Sequence, residues 1–181
     1  MSDRGRPLRR GDLDPEPWRQ FERWYEEAED VVEFPEAVAL ATATAEGRPS
    51  LRMVLVKGFD DGGFRFHTGH RSRKGRELEE NPRGALLFYW HPLGRQVRIE
   101  GPVARLGHDE SDEYFRSRPR GGRIAAWASA QSEVIGSRDE LESRVAELER
   151  EFEGRDVPLP PHWGGYRLEA ELWEFWQHRE S

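Results

Sequence analysis

Cysteine is absent from the 181-residue chain, so there is no disulfide framework, no thiol nucleophile and no thiolate metal site. Lysine is nearly absent: of 28 lysines and arginines, only Lys57 and Lys74 are lysines. They either mark places that need a compact ammonium rather than a planar guanidinium, or are chance survivors of a codon bias towards arginine. No uninterrupted apolar run approaches the ~20 residues of a membrane span, and the N-terminal MSDRGRPLRRGDLDPEP lacks the apolar segment of a secretory signal. The expectation is a soluble, cytoplasmic protein with no membrane partner. His67, His70, His91 and His108 lack the spacing of a zinc site or a facial triad. The G-x-S-x-G, P-loop and G-x-G-x-x-G motifs are also missing, which removes the usual hydrolase, NTPase and dinucleotide-binding readings.

What is present is a polar chain with many large rings. It is 35% charged with a formal net charge of -7, yet it contains 7 Trp and 9 Phe, more than disordered chains carry. It should fold, with part of its apolar surface buried against a partner. Its length allows one domain. Residues 1–14 are basic and aperiodic and read as a flexible tail, leaving a single domain over 15–181. After Asp14-Pro15-Glu16-Pro17, the helical spacing of Trp18, Phe21, Trp24, Tyr25 and Ala28 predicts an amphipathic helix. Stretches 37–45, 50–59 and 63–68, separated by EGRP and DDGG, read as an antiparallel meander. A short helix opens at Ser72 and stops at Pro82. Strands follow at 84–91 and 95–106, with a bend at Gly101-Pro102, then helices at 109–118, 121–128 and 138–153. YRLEAELWEFWQ alternates as one closing strand. Strands mostly in sequence with helices inserted late predict a mainly β, α+β protein: an antiparallel barrel with helical decoration.

The stretch HTGHRSRKGRELEENP places Ser72, Arg73 and Lys74 at a helix start, where first-turn N–H groups and the helix dipole favour an anion. A phosphate would fit; equally, these cations could balance Glu77, Glu79 and Glu80. In RMVLVK, alternation puts Arg52, Val54 and Val56 on one face and Met53, Leu55 and Lys57 on the other. A lysine on an apolar face ends the strand, is paired, or holds a ligand. Gln96 can donate and accept towards a heterocycle edge, and Gln131 and Ser132 sit in a polar loop. Tyr114 and Arg118, at i and i+4, suit a phosphate monoester or carboxylate, or form an exposed amphipathic turn. A single-stranded nucleic acid on the barrel face fits poorly with an acidic chain whose cations are clustered rather than striped.

Taken in order, RMVLVK, FHTGHRSRK, NPRGALLFYWHPLGRQVRIEG, YFRSRPRGGRIAAWAS, PLPPHWGGYRL and EFWQ resemble the pyridoxine/pyridoxamine 5'-phosphate oxidase family from about Leu13 to Trp176. The resemblance implies an FMN-binding split β-barrel, with FMN sites at a homodimer interface. It places Arg52, Met53, Val54, Leu55, Val56 and Lys57 along the FMN. Arg52, Arg73 and Lys74 lie near the phosphate, His67 and Thr68 lie beside it, and Gln96 meets the ring. Gln131, Ser132 and Trp176 complete the site, some from a second subunit. Lys57, Tyr114 and Arg118 match the group that grips a small phosphorylated substrate, with Gly122 where the family has Ser. His67 stands where the family has Tyr. The implied reaction is oxidation of pyridoxamine or pyridoxine 5'-phosphate to pyridoxal 5'-phosphate, with O2 reduced to peroxide. The rivals are an FMN oxidase of another small aromatic substrate of the phenazine-precursor type, and a barrel that binds FMN or nucleic acid without catalysis. The family continues into an Arg-x-His-Asp-Arg element, and this sequence stops at Ser181 before it, so either a shortened form or slower or different chemistry is expected.

Overall fold

The computed structural model describes residues 7–179. Its helices are α1 (Pro17–Glu29), α2 (Arg73–Glu80), α3 (His108–Ser117), α4 (Arg120–Ala128) and α5 (Arg138–Glu151). Its strands are β1 (Ala37–Ala43), β2 (Pro49–Asp60), β3 (Gly63–Gly69), β4 (Arg83–Trp90), β5 (Arg95–Arg105), β6 (Trp163–Leu168) and β7 (Leu172–Gln177). Every strand pair is antiparallel. The order β4-β1-β2-β3-β6-β5, with β5 pairing back to β4, closes a barrel, and β7 extends along β5. Closure leaves these six strands without a free edge.

The period-2 pattern decides what faces inward. Val38 and Leu40 of β1, Phe64 and Phe66 of β3, Leu86 and Phe88 of β4, and Val97 and Ile99 of β5 are buried together. α1 lays Phe21 onto this interior, edge-on to Phe59, Phe64 and Phe88 at 4.8–5.0 Å between ring centres. A second cluster gathers Phe115 of α3, Ile124 of α4, Phe152 after α5, and Trp163 of β6. α3 to α5 are therefore packed against one another beside the barrel.

Two irregularities differ from the expected strands. The closing strand is broken: β6 pairs with β5 through Val103↔Leu168, and β7 through Glu100↔Leu172, one residue out of step. Inward residues accordingly switch from Tyr166 and Leu168 to Trp173 and Phe175. The bulge lies against Gly101, where a Cβ would sit 1.7 Å from the Glu169 carbonyl oxygen. In β2 the register with β3 shifts between Val56 and Phe59, so Lys57 and Gly58 form a second bulge. Residues 1–6 of the expected tail lie outside the described residues. Of the rest, Arg10–Asp12 form a 3-10 turn and Leu8 packs against the barrel core. Among the described residues no helix is long and apolar enough to cross a membrane.

Candidate cofactor and substrate site

The β3–α2 turn builds the first half of the site. Ser72 caps α2, its Oγ accepting from the Gly75 amide at 3.3 Å, which fixes the first turn of the helix at the barrel rim. Gly75 is required there because a Cβ would lie 2.1 Å from the His70 carbonyl oxygen. Lys74 then turns back over the strand end, donating from Nζ to Thr68 Oγ1 at 3.1 Å, Ser72 Oγ at 3.3 Å and Gln131 Oε1 at 3.4 Å. Burial lowers the Lys74 pKa, helped by the charge of Arg52 and opposed by Glu77.

Across a cleft of about 350 Å³ lies β2. Ser50, Arg52, Arg73, Lys74 and Ser132 all line this cleft. Arg52 donates from Nη1 to Thr42 Oγ1 at 2.6 Å and to the Leu40 carbonyl at 3.1 Å, and from Nη2 to Glu77 at 3.2 Å. Arg73 Nε donates to the other Glu77 oxygen at 2.8 Å. Glu77 thus pairs with two of the three cations, while among the described residues no carboxylate pairs with Lys74. Of the two alternatives left open by the basic run, charge balance is realised for Arg73 through Glu77, while Lys74 is not balanced in this way. The loop after α4 closes the cleft. Gln131 accepts from Thr68 and from the Gly69 amide, and Ser132 Oγ accepts from the Arg73 amide at 3.0 Å. Ser132 is the one non-glycine residue at positive φ (68°) among the described residues, a conformation that costs about 1 kcal/mol or more and clusters at binding sites.

The second half lies at the other end of β2. Lys57, Arg65, His67, Glu110 and Tyr114 line a cleft of about 310 Å³, and Lys57 Nζ lies 3.3 Å from Glu36. His67 stacks on Tyr114 at 3.9 Å between ring centres, Trp163 stacks behind it, and the Arg118 guanidinium lies 4.8 Å from the Trp163 ring centre. Burial, then the charges of Arg118 and Arg65, pull the His67 pKa down to about 4, so the imidazole is neutral. Both its ring nitrogens and Arg118 Nη1 are buried without a hydrogen-bond partner. Gly122 lies next to Arg118: a Cβ there would be 3.4 Å from Nη2.

The structure brings Arg52, Arg73, Lys74 and Ser132 into one cleft, with Thr68 and Gln131 beside it through Lys74, and Lys57, His67, Tyr114, Arg118 and Gly122 into or beside the other. Val56 is buried inside the barrel and Val54 packs against that core. Met53, Leu55 and Trp176 are exposed on the outer face, where Gln96 pairs with Trp176 across β5 and β7. Those four join neither cleft within one chain. Sequence reasoning missed Thr42, Ser50 and Trp163. Glu77 appeared only as a charge to be balanced, and its i, i+4 spacing to Arg73 was the available signal.

The fold defines an antiparallel split β-barrel with two clefts beside β2. The family model for pyridoxamine 5'-phosphate oxidase matches residues 25–151. The chain is 60% identical over 169 residues to the pyridoxine/pyridoxamine 5'-phosphate oxidase of Rubrobacter xylanophilus, covering 93% of this chain and 78% of that one. It is 56% identical over 166 residues to the oxidase of the same name from Bordetella pertussis, covering 91% and 78%. Among solved structures, PhzG from Burkholderia lata 383, in complex with tetrahydrophenazine-1-carboxylic acid, superposes with a TM-score of 0.90 at 36% identity, covering 97% of this chain and 87% of that one. An FMN-binding protein from Nostoc punctiforme shares the fold, with a TM-score of 0.71 at 16% identity over 91% and 85% of the two chains. The chain belongs to the pyridoxamine 5'-phosphate oxidase family. Members of this family bind FMN, and the oxidoreductase class and the barrel expected from the sequence stand with it.

Proposed function

We propose that this chain oxidises pyridoxamine or pyridoxine 5'-phosphate to pyridoxal 5'-phosphate with FMN as its cofactor. The observation that carries the reading is Lys74, a half-buried ammonium with no carboxylate partner among the described residues, facing a cleft shared with Arg52 and Arg73. Three cations against one carboxylate leave the cleft about two positive charges in excess, which matches a phosphate monoester of nearly two negative charges. The donor set thus fits the phosphoryl end of FMN, with Arg52, Lys74, Ser132 and Thr68 as its holders.

Held by these residues, FMN would supply the redox chemistry, as a hydride acceptor for the substrate's C4' carbon that O2 reoxidises to give peroxide. The chain's own work is binding and orientation. The unpartnered Arg118 Nη1, the Tyr114 phenol and Lys57 Nζ offer charge-assisted hydrogen bonds to the substrate's phosphate. His67, kept neutral, holds the Tyr114 ring without adding a fourth positive charge. Fixing one end of a small substrate converts its encounter with the ring into an oriented, effectively unimolecular step.

A homodimer belongs to this proposal, because Gln96 and Trp176 lie on the outer face, where only a second copy's site can use them. That face is also apolar: Leu51, Met53 and Leu55 of β2 are 69%, 64% and 45% exposed, and β1 sets Ala37, Ala39 and Ala41 beside them. A cytoplasmic location is proposed with it.

The superposition on PhzG favours a second reading, a reduced phenazine precursor as substrate. The test is to load the full chain with FMN and offer it pyridoxamine phosphate, pyridoxine phosphate and tetrahydrophenazine-1-carboxylic acid, following pyridoxal phosphate and peroxide. Pyridoxal phosphate with matching peroxide, and a KM raised at least ~10-fold in Arg118→Ala, is the expected result. Turnover of the phenazine compound alone moves the assignment to the second reading, and turnover of none contradicts both.

A further inference from the structure

Going beyond the cofactor reading, and resting on it, we propose that Glu77 is a positioning residue of the phosphate cleft: its buried carboxylate holds Arg52 and Arg73 in place and leaves Lys74 uncompensated for the ligand.

Glu77 lies one helical turn behind the rim of α2, and its side chain is only 4% exposed. A buried carboxylate is costly unless its lone pairs are filled. Here they are filled from three elements. Thr42 of β1 and Ser50 of β2 both donate hydroxyl hydrogens to Oε2, Arg52 of β2 donates to the same oxygen, and Arg73 of α2 donates to Oε1. Burial alone would raise its pKa, but these four hydrogen bonds outweigh it and hold the pKa at about 2, so Glu77 is ionised throughout the physiological range.

The two arginines depend on this one group in different ways. Arg52 is largely buried and shares its guanidinium among Glu77, Thr42, Ser50 and the Leu40 carbonyl. Its plane is fixed before any ligand arrives. Arg73 is more than half exposed, and among the described residues Glu77 is its one ion-pair partner. Without Glu77 it is a solvated side chain with several rotamers, and ordering it would then be charged to ligand binding. Lys74 takes the complementary role. It is held by neutral oxygens of Thr68, Ser72 and Gln131, so its charge is positioned and not cancelled. The cleft is thereby both pre-organised and short of negative charge, two conditions that compete in most basic clusters.

A ligand's phosphate is the only part that should sense this arrangement, and the test follows from that. The full chain, stripped of flavin, is titrated with FMN and with riboflavin, which has the ring and ribityl chain without the phosphate, by quenching of flavin fluorescence. Wild type should prefer FMN. Glu77→Gln, which keeps the side chain's shape and removes its charge, should weaken FMN binding about 10-fold and change riboflavin binding less than about 2-fold. Ser50→Ala, a smaller perturbation that removes one donor from the same carboxylate oxygen, should weaken FMN selectively about 3-fold, and it decides the matter if Glu77→Gln does not fold. Unchanged or tighter FMN binding overturns the proposal, because excess positive charge would then matter more than position. An equal loss for both flavins also overturns it, since that is the mark of a general structural role. If wild type itself does not distinguish FMN from riboflavin, the cofactor reading of the cleft fails first.

Discussion

His67 shows how burial sets the chemistry of a single side chain. Enclosed by Tyr114 and Trp163, with two guanidinium groups near, its imidazole titrates near 4 against an ordinary value of 6.5. A folded-state pKa below the unfolded one means that the unfolded chain binds the extra proton in between. The stability supported by neutral His67 is therefore complete above pH 6.5 and is lost as pH falls towards 4. His67→Tyr should flatten the dependence of Tm on pH across that interval, leaving a residual slope from His70, whose pKa burial also lowers. Thermal melts at half-unit steps check this, and a slope equal to wild type would contradict it. At this scale the sequence was informative where charge was scarce. Lys57 and Lys74 stood out among arginines, and each lines one of the two clefts. It was uninformative about Glu77, because an Arg and a Glu four residues apart in a helix are most often a solvated pair. Only the approach of β1 and β2 makes this one a buried junction.

At the scale of elements, helix starts and strand alternation were legible because they depend on local chemistry. The Ser72 cap, the Pro17 start of α1 and the two-faced alternation of RMVLVK all form as read. The closing strand was not, because its break depends on a partner 68 residues away. Glu169 bulges where Gly101 leaves room for its carbonyl, and the inward parity changes there. Gly101→Ala must push two backbones apart. It should lower Tm by at least about 5 °C, from an overpacking cost of about 2 kcal/mol in a chain of this size. Calorimetry of the variant gives the answer, and a Tm within a degree of wild type would mean that the bulge relaxes without cost. The β2 bulge at Lys57 and Gly58 was equally hidden, and it places a functional candidate beside the His67–Tyr114 stack.

For the whole molecule, the abundance of large rings in a polar chain divides into two populations. Most fill the barrel and the helical cluster, while Phe34, Tyr89 and Trp176 remain exposed, the last two on the outer face with Leu51, Met53 and Leu55. Sequence alternation showed that one face of β2 was apolar and carried a lysine at its end. It could not show that this face points away from the core, because a closed barrel and an open sheet give the same pattern. That face is the one across which the proposed homodimer would join, with Trp176 exposed and Gln96 paired beside it on the same outer side.

The cationic cleft between β2 and the start of α2 carries the proposed seat of the FMN phosphate. A crystal structure of the full chain grown with FMN tests it most directly. The phosphate is expected within hydrogen-bond distance of Arg52, Lys74 and Ser132. A flavin phosphate bound anywhere else, with that cleft filled only by water, would contradict it.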